Sequence, residues 1–164
     1  MIFVTVGTQD KPFTRIIRAV ENAVITGKIT DEVIVQAGNT KYESDYLNVL
    51  NYVPFDEFNK YLSKADIIIT HGGVGSILNA LKLKKKIIAI PRLKKYGEHI
   101  NDHQLQVIQK MTEQGYILSC EDENDIADKV KEAENFIVKE YSSNTEQFIK
   151  AFKDVLDDVL GVNE

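Results

Sequence analysis

Two glycine-bearing turns carry the residue types of an anion site. Gly7-Thr8-Gln9 follows the apolar run Ile2 to Val6, and His71-Gly72-Gly73-Val74-Gly75-Ser76 joins the β-branched run Asp66 to Thr70 to an amphipathic segment. A glycine-rich turn that feeds straight into a helix presents unpaired backbone N–H groups and the positive end of the helix dipole. Without Cβ atoms at Gly72, Gly73 and Gly75, a phosphate or diphosphate can approach the backbone closely. The same residues also suit a ligand-free turn in which the glycines serve only the chain path. The dinucleotide fingerprint G-x-G-x-x-G is missing after the first apolar run, and no G-x-x-x-x-G-K-[ST] occurs anywhere.

A long polar stretch, Pro91 to Gln104, follows a third β-branched run and has the length of a functional loop. Arg92, Lys94 and Lys95 stand where they meet either phosphate or solvent. Lys82, Lys84, Lys85 and Lys86 fall at the opposite edge and read as a solvated face, with anionic lipid as the alternative. Gln104 has two readings: Asn101-x-x-Gln104 fits a helix capping box, and the side chain also suits a ligand contact. His71 has no second His, Cys or carboxylate at metal-ligand spacing, so neither a metal nor a cofactor is expected. No nucleophile elbow with its Ser, His and Asp set is present. Cys120 ends an apolar run and reads as a buried, unreactive thiol.

The elements that must position these turns alternate strand with helix, the pattern of an α/β domain with a mainly parallel, Rossmann-like sheet flanked by helices. Strands are predicted at Ile2 to Val6, Glu32 to Gln36, Asn48 to Val53, Asp66 to Thr70, Lys86 to Ile90 and Gly115 to Leu118. Phe13, Ile16, Ile17, Val20 and Val24 share one face of a first helix, with Asp10 as its expected cap and Pro12 in its first turn. Further helices are predicted over Phe55 to Ala65, Val74 to Leu83, Asp102 to Glu113 and Asp122 to Val138. Residues 143–160 add a C-terminal helix whose apolar stripe packs on the sheet or holds a partner. In open parallel sheets ligands bind beyond the carboxyl ends of the strands, where both glycine turns fall.

With 164 residues, the chain is sized for one domain. A net charge of -5 argues against nucleic acid as a partner. No apolar run approaches a membrane span, the N-terminus lacks the features of a signal peptide and a single cysteine fits a reducing compartment, so a cytoplasmic protein is expected.

Taken in order, V-T-V-G-T, I-T-H-G-G-V-G-S-I and A-I-P-R with K-K-Y-G-E-H-I-N-D-H-Q resemble the C-terminal, donor-binding domain of GT-B glycosyltransferases. The pattern is most similar to the PssE/CpsG-type subunits of exopolysaccharide and capsule synthesis. It is also similar to the soluble subunit of the two-part enzyme adding the second N-acetylglucosamine to the dolichol-linked glycan, and more distantly to MurG. The resemblance implies that Gly7, Thr8 and the turn from His71 to Ser76 face the diphosphate of a UDP-sugar. It puts Asp102, His103 and Gln104 near the ribose and uracil. Asn79 stands where MurG-like enzymes carry an acidic ribose ligand; it suits a weaker hydroxyl contact or plain surface polarity.

A GT-B site closes between two such domains and this chain supplies one. The resemblance therefore implies a membrane-anchored PssD/CpsF-type partner, through which the chain would sit at the inner face of the membrane. The implied reaction is inverting, metal-free transfer of a hexose, galactose being one candidate, to a sugar on polyprenyl diphosphate. Amides of Gly72, Gly73 and Gly75 would stabilise the leaving diphosphate, and Gly73→Val is expected to abolish activity and spare the fold. The alternatives are an accessory subunit without a catalytic group and a stand-alone UDP-sugar enzyme such as an epimerase.

Overall fold

The computed structural model describes residues 1–139. Six strands, β1 (Ile2–Thr5), β2 (Val33–Gln36), β3 (Asn48–Leu50), β4 (Ile67–His71), β5 (Lys86–Ile90) and β6 (Leu118–Ser119), form one sheet in the order β3-β2-β1-β4-β5-β6. Every pairing is parallel. β1, β2 and β4 are buried on both faces, which is why they read as unbroken β-branched runs rather than as alternating ones.

Among the described residues, five α-helices cover the two faces: α1 (Thr14–Ile25), α2 (Phe55–Lys64), α3 (Val74–Lys82), α4 (His103–Glu113) and α5 (Ile126–Asn135). Ile2 and Val4 of β1 point to a core shared with Ile16, Ile17 and Val20 of α1 and Val130 of α5. Phe3, one residue out of phase, points to the opposite core with Leu62 of α2, Ile77 and Leu81 of α3 and Ile108 of α4. Each such fully buried Ile or Leu contributes about 1.5–3 kcal/mol.

The expected α/β order holds, with corrections at the element ends. α1 starts at Thr14, and neither Asp10 nor Pro12 lies in it. Phe13 is the N-cap residue and no side chain caps the first-turn amides; its own buried amide donates to Thr40 Oγ1 at 2.9 Å, which ties the helix start to the β2–β3 connection. β6 begins at Leu118 because Gly115, expected in the strand, turns the chain with φ 78°. β3 stops at Leu50 rather than Val53. Asp122 caps a 3-10 turn, Glu123–Asp125, ahead of α5. The helix expected over 143–160 lies outside the described residues, and among those described no helix is long and apolar enough to cross a membrane.

Candidate functional site

The strand order reverses between β1 and β4, so the turns that leave their carboxyl ends diverge and open a crevice. A cleft of about 390 Å³ lies there, and Gly7, Thr8, His71, Gly73, Gly75 and Ser76 line it. The two glycine turns singled out in the sequence therefore face one cavity. Tyr52, Val53, Phe55 and Phe58, from the β3–α2 connection and α2, form a further wall. Tyr52 and Phe55 are exposed, large enough to stack a planar ring and free to do so. Sequence reading missed this wall; an aromatic pair flanking Pro54 just past a strand end was its available signal.

At the mouth of the crevice, α3 begins with Gly73 as its N-cap, and no side-chain hydrogen bond caps it. Ile77 N closes the first turn on the Gly73 carbonyl, leaving the Val74, Gly75 and Ser76 amides at the positive end of the helix dipole. A Cβ built on Gly75 meets nothing within 4 Å, so that position is open to a ligand. The first-turn amides and the Ser76 hydroxyl are the donors that can meet an anion here.

The other glycines have an internal reason to be glycine. A Cβ on Gly7 would come within 2.6 Å of His71 Cε1, and one on Gly73 within 2.2 Å of His71 Nε2. The imidazole is thus held between the two turns. Burial pushes its pKa down to about 4, with the Arg92 cation adding to the effect, so His71 is neutral near pH 7. A neutral ring brings no charge to the cleft, and its one N–H is given to the Thr5 carbonyl. Because Gly73 has no room for a side chain, the expectation that Gly73→Val spares the fold is corrected.

Gly72 is no ligand donor either: its amide donates to Gln104 Oε1 at 3.0 Å, and the same oxygen accepts from Arg92 N at 3.0 Å. Gln104 is buried, which replaces the capping-box reading; α4 starts at His103 with Asp102 as an N-cap that makes no side-chain bond. Asp102 Oδ1 instead accepts from Lys94 N at 2.8 Å, and His103 N donates to Asn101 Oδ1. Neither Asp102, His103 nor Asn79 lines the cleft, although Asn79 lies on α3.

Arg92 is corrected too. It is 1% exposed, and its guanidinium donates to the carbonyls of Val6, Lys11 and Glu98 while stacking 4.7 Å from the Phe13 ring. It braces the turns from behind and does not face the cleft. Glu98, also buried, pairs with Arg15 through two bonds and accepts from Leu93 N, fixing the loop after β5. Asn39 Nδ2 donates to the Thr8 and Gln9 carbonyls and holds the turn after β1. Cys120 is a buried thiol pushed up to about 12 by desolvation, as unreactive as its sequence position suggested.

The family model of the glycosyltransferase family 28 C-terminal domain matches residues 1–159. UDP-N-acetylglucosamine transferase subunit ALG13 of Candida albicans is 25% identical over 123 residues, covering 75% of this chain and 38% of that protein. The human protein of the same name is 29% identical over 130 residues, covering 73% of this chain and 11% of its own length. The chain thus spans well under half the length of either relative. An NMR solution structure of ALG13 superposes with a TM-score of 0.60 at 20% identity, covering 92% of this chain and 93% of that one, which shows a shared fold.

Proposed function

The chain belongs to the glycosyltransferase family 28 C-terminal domain family, and from that premise we propose that it binds the UDP-sugar donor of a two-component glycosyltransferase. The observation that carries this reading is the uncapped α3 N-terminus opening onto the cleft at the β1–β4 switch point, with Gly75 unobstructed. The diphosphate sits against the Val74, Gly75 and Ser76 amides, with Thr8 as a further donor. The Tyr52 and Phe55 rings supply a stacking surface for the uracil. As the glycosidic bond breaks, negative charge gathers on the diphosphate, and fixed amides at a helix N-terminus stabilise that charge without reorganising. The names of the relatives support N-acetylglucosamine as the first donor sugar to try; the hexose reading, with galactose and an exopolysaccharide setting, rests on motif resemblance.

The described fold supplies one side of the cleft, and the acceptor and general base come from a second polypeptide. In this reading that polypeptide is membrane-associated, and the PssD/CpsF-type subunit is one candidate. The test is co-expression with candidate membrane partners and a transfer assay over a panel of UDP-sugars. Transfer from one UDP-sugar that needs both polypeptides is expected; transfer by the chain alone would instead support a stand-alone enzyme.

A second reading, an accessory subunit with the cleft kept as scaffold, draws support from the imidazole packed between Gly7 and Gly73, which accounts for two glycines with no ligand. Absence of UDP binding, alone and with the partner, would favour it.

A further inference from the structure

Two buried polar side chains line the cleft together with its aromatic wall: Thr5, 1% exposed, and Gln36, 4% exposed. Gln36 ends β2, which has β1 on one side and β3 on the other. Its Oε1 accepts from Thr5 Oγ1 of β1 at 2.7 Å, and its Nε2 donates to Asn51 O, just past β3, at 3.2 Å. The Asn51 carbonyl can only accept, and it takes the Gly38 amide as well, so the nitrogen of Gln36 must face it and the amide cannot turn over. A primary amide has two N–H donors and two acceptor lone pairs on its oxygen. One of each is used, in bonds that run toward opposite neighbouring strands. Among the described residues nothing takes the other N–H and lone pair, which stand side by side at the far end of the side chain in a fixed order. The stacking surface begins at Tyr52, the residue after Asn51.

We infer that Gln36 is a contact of the nucleobase and selects uracil over cytosine. This deepens the donor-site reading above and rests on it. With the diphosphate held at the start of α3 and the ring stacked on Tyr52, the base meets the Gln36 amide in one direction. Uracil presents a carbonyl beside an imide N–H, which match the spare N–H and lone pair. Cytosine in the same pose presents an amino group and a bare ring nitrogen, so donor meets donor and acceptor meets acceptor. Stacking on Tyr52 makes no such distinction, since every base has a π face.

The experiment is titration of the full chain with UDP and with CDP, which differ only along one edge of the base, for wild type, Gln36→Met and Tyr52→Ala. Wild type is expected to prefer UDP by about tenfold or more. Gln36→Met keeps the side-chain length without donor or acceptor, and it is expected to bind the two nucleotides within about twofold of each other. Tyr52→Ala is expected to weaken both alike and to keep the preference. Should Gln36→Met fail to fold, wild type titrated with UDP methylated at the imide nitrogen carries the comparison: binding as weak as that of CDP is expected, and binding equal to that of UDP would overturn the inference. Equal wild-type affinity for UDP and CDP would also overturn it and leave the donor site standing, as would a Gln36→Met that weakens both nucleotides and keeps the preference. Wild-type protein that binds neither nucleotide would overturn the donor-site reading, and this inference with it.

Discussion

Three glycines in one short turn do different work, and substitution separates them. Gly75 lies in the first turn of α3 with open space beside it, whereas Gly73 abuts the His71 ring. Gly75→Ala is expected to leave stability unchanged or raise it by up to about 1 kcal/mol, through helix propensity, while weakening UDP binding several-fold. Gly73→Ala is expected to lower stability by about 1–3 kcal/mol, because the ring must move; urea unfolding alongside a UDP titration reads both. His71 predicts a pH dependence of stability. Its folded pKa of about 4 lies below the unfolded value of 6.5, so the unfolded chain binds the extra proton first as pH falls. The contribution is fully present above about pH 6.5, declines from there to about pH 4 and amounts to at most about 3 kcal/mol. Unfolding between pH 7 and 4 should show this slope in the wild type and lack it in His71→Gln; equal slopes would mean that the ring is not buried as a neutral base.

At the scale of elements, the loops of the site are set by contacts between residues far apart in sequence. Arg92 braces three carbonyls from behind the β1 and β5 turns. Arg92→Leu is expected to cost about 3–5 kcal/mol by stranding them, with Arg92→Lys recovering only part, since an ammonium lacks the planar fork that reaches all three. Denaturant midpoints check this, and a near-neutral Arg92→Leu would contradict the bracing role. The same dependence on distant partners explains what the sequence left illegible. Strands β1, β4 and β5 were legible because burial on both faces leaves runs such as Ile-Ile-Ile and Ile-Ile-Ala-Ile. The start of α1 was not, because Thr40 serves the Phe13 amide. Gln104 looked like a local cap or a ligand, since nothing in Asn101-x-x-Gln104 signals that its acceptor belongs to Gly72 and Arg92. The two turns were visible from their glycines, but the imidazole filling the space beside Gly7 and Gly73 was not.

Taken together, the described residues form a doubly covered parallel sheet whose reversal of strand order opens a cleft, and main-chain amides at one helix end face that cleft. In the proposed reading such a site takes a diphosphate and forms one half of a shared active site. Half of the sequence-derived site residues line the cleft, and Arg92 and Gln104 hold it from behind. The central claim is that the α3 amides are the diphosphate donors. Amide NMR of the full chain during titration with UDP tests it most directly. Saturable shifts of the Val74, Gly75 and Ser76 amides, with the Gly72 amide little changed because Gln104 already holds it, are the predicted result. Saturating UDP that leaves those three resonances unmoved would contradict the account.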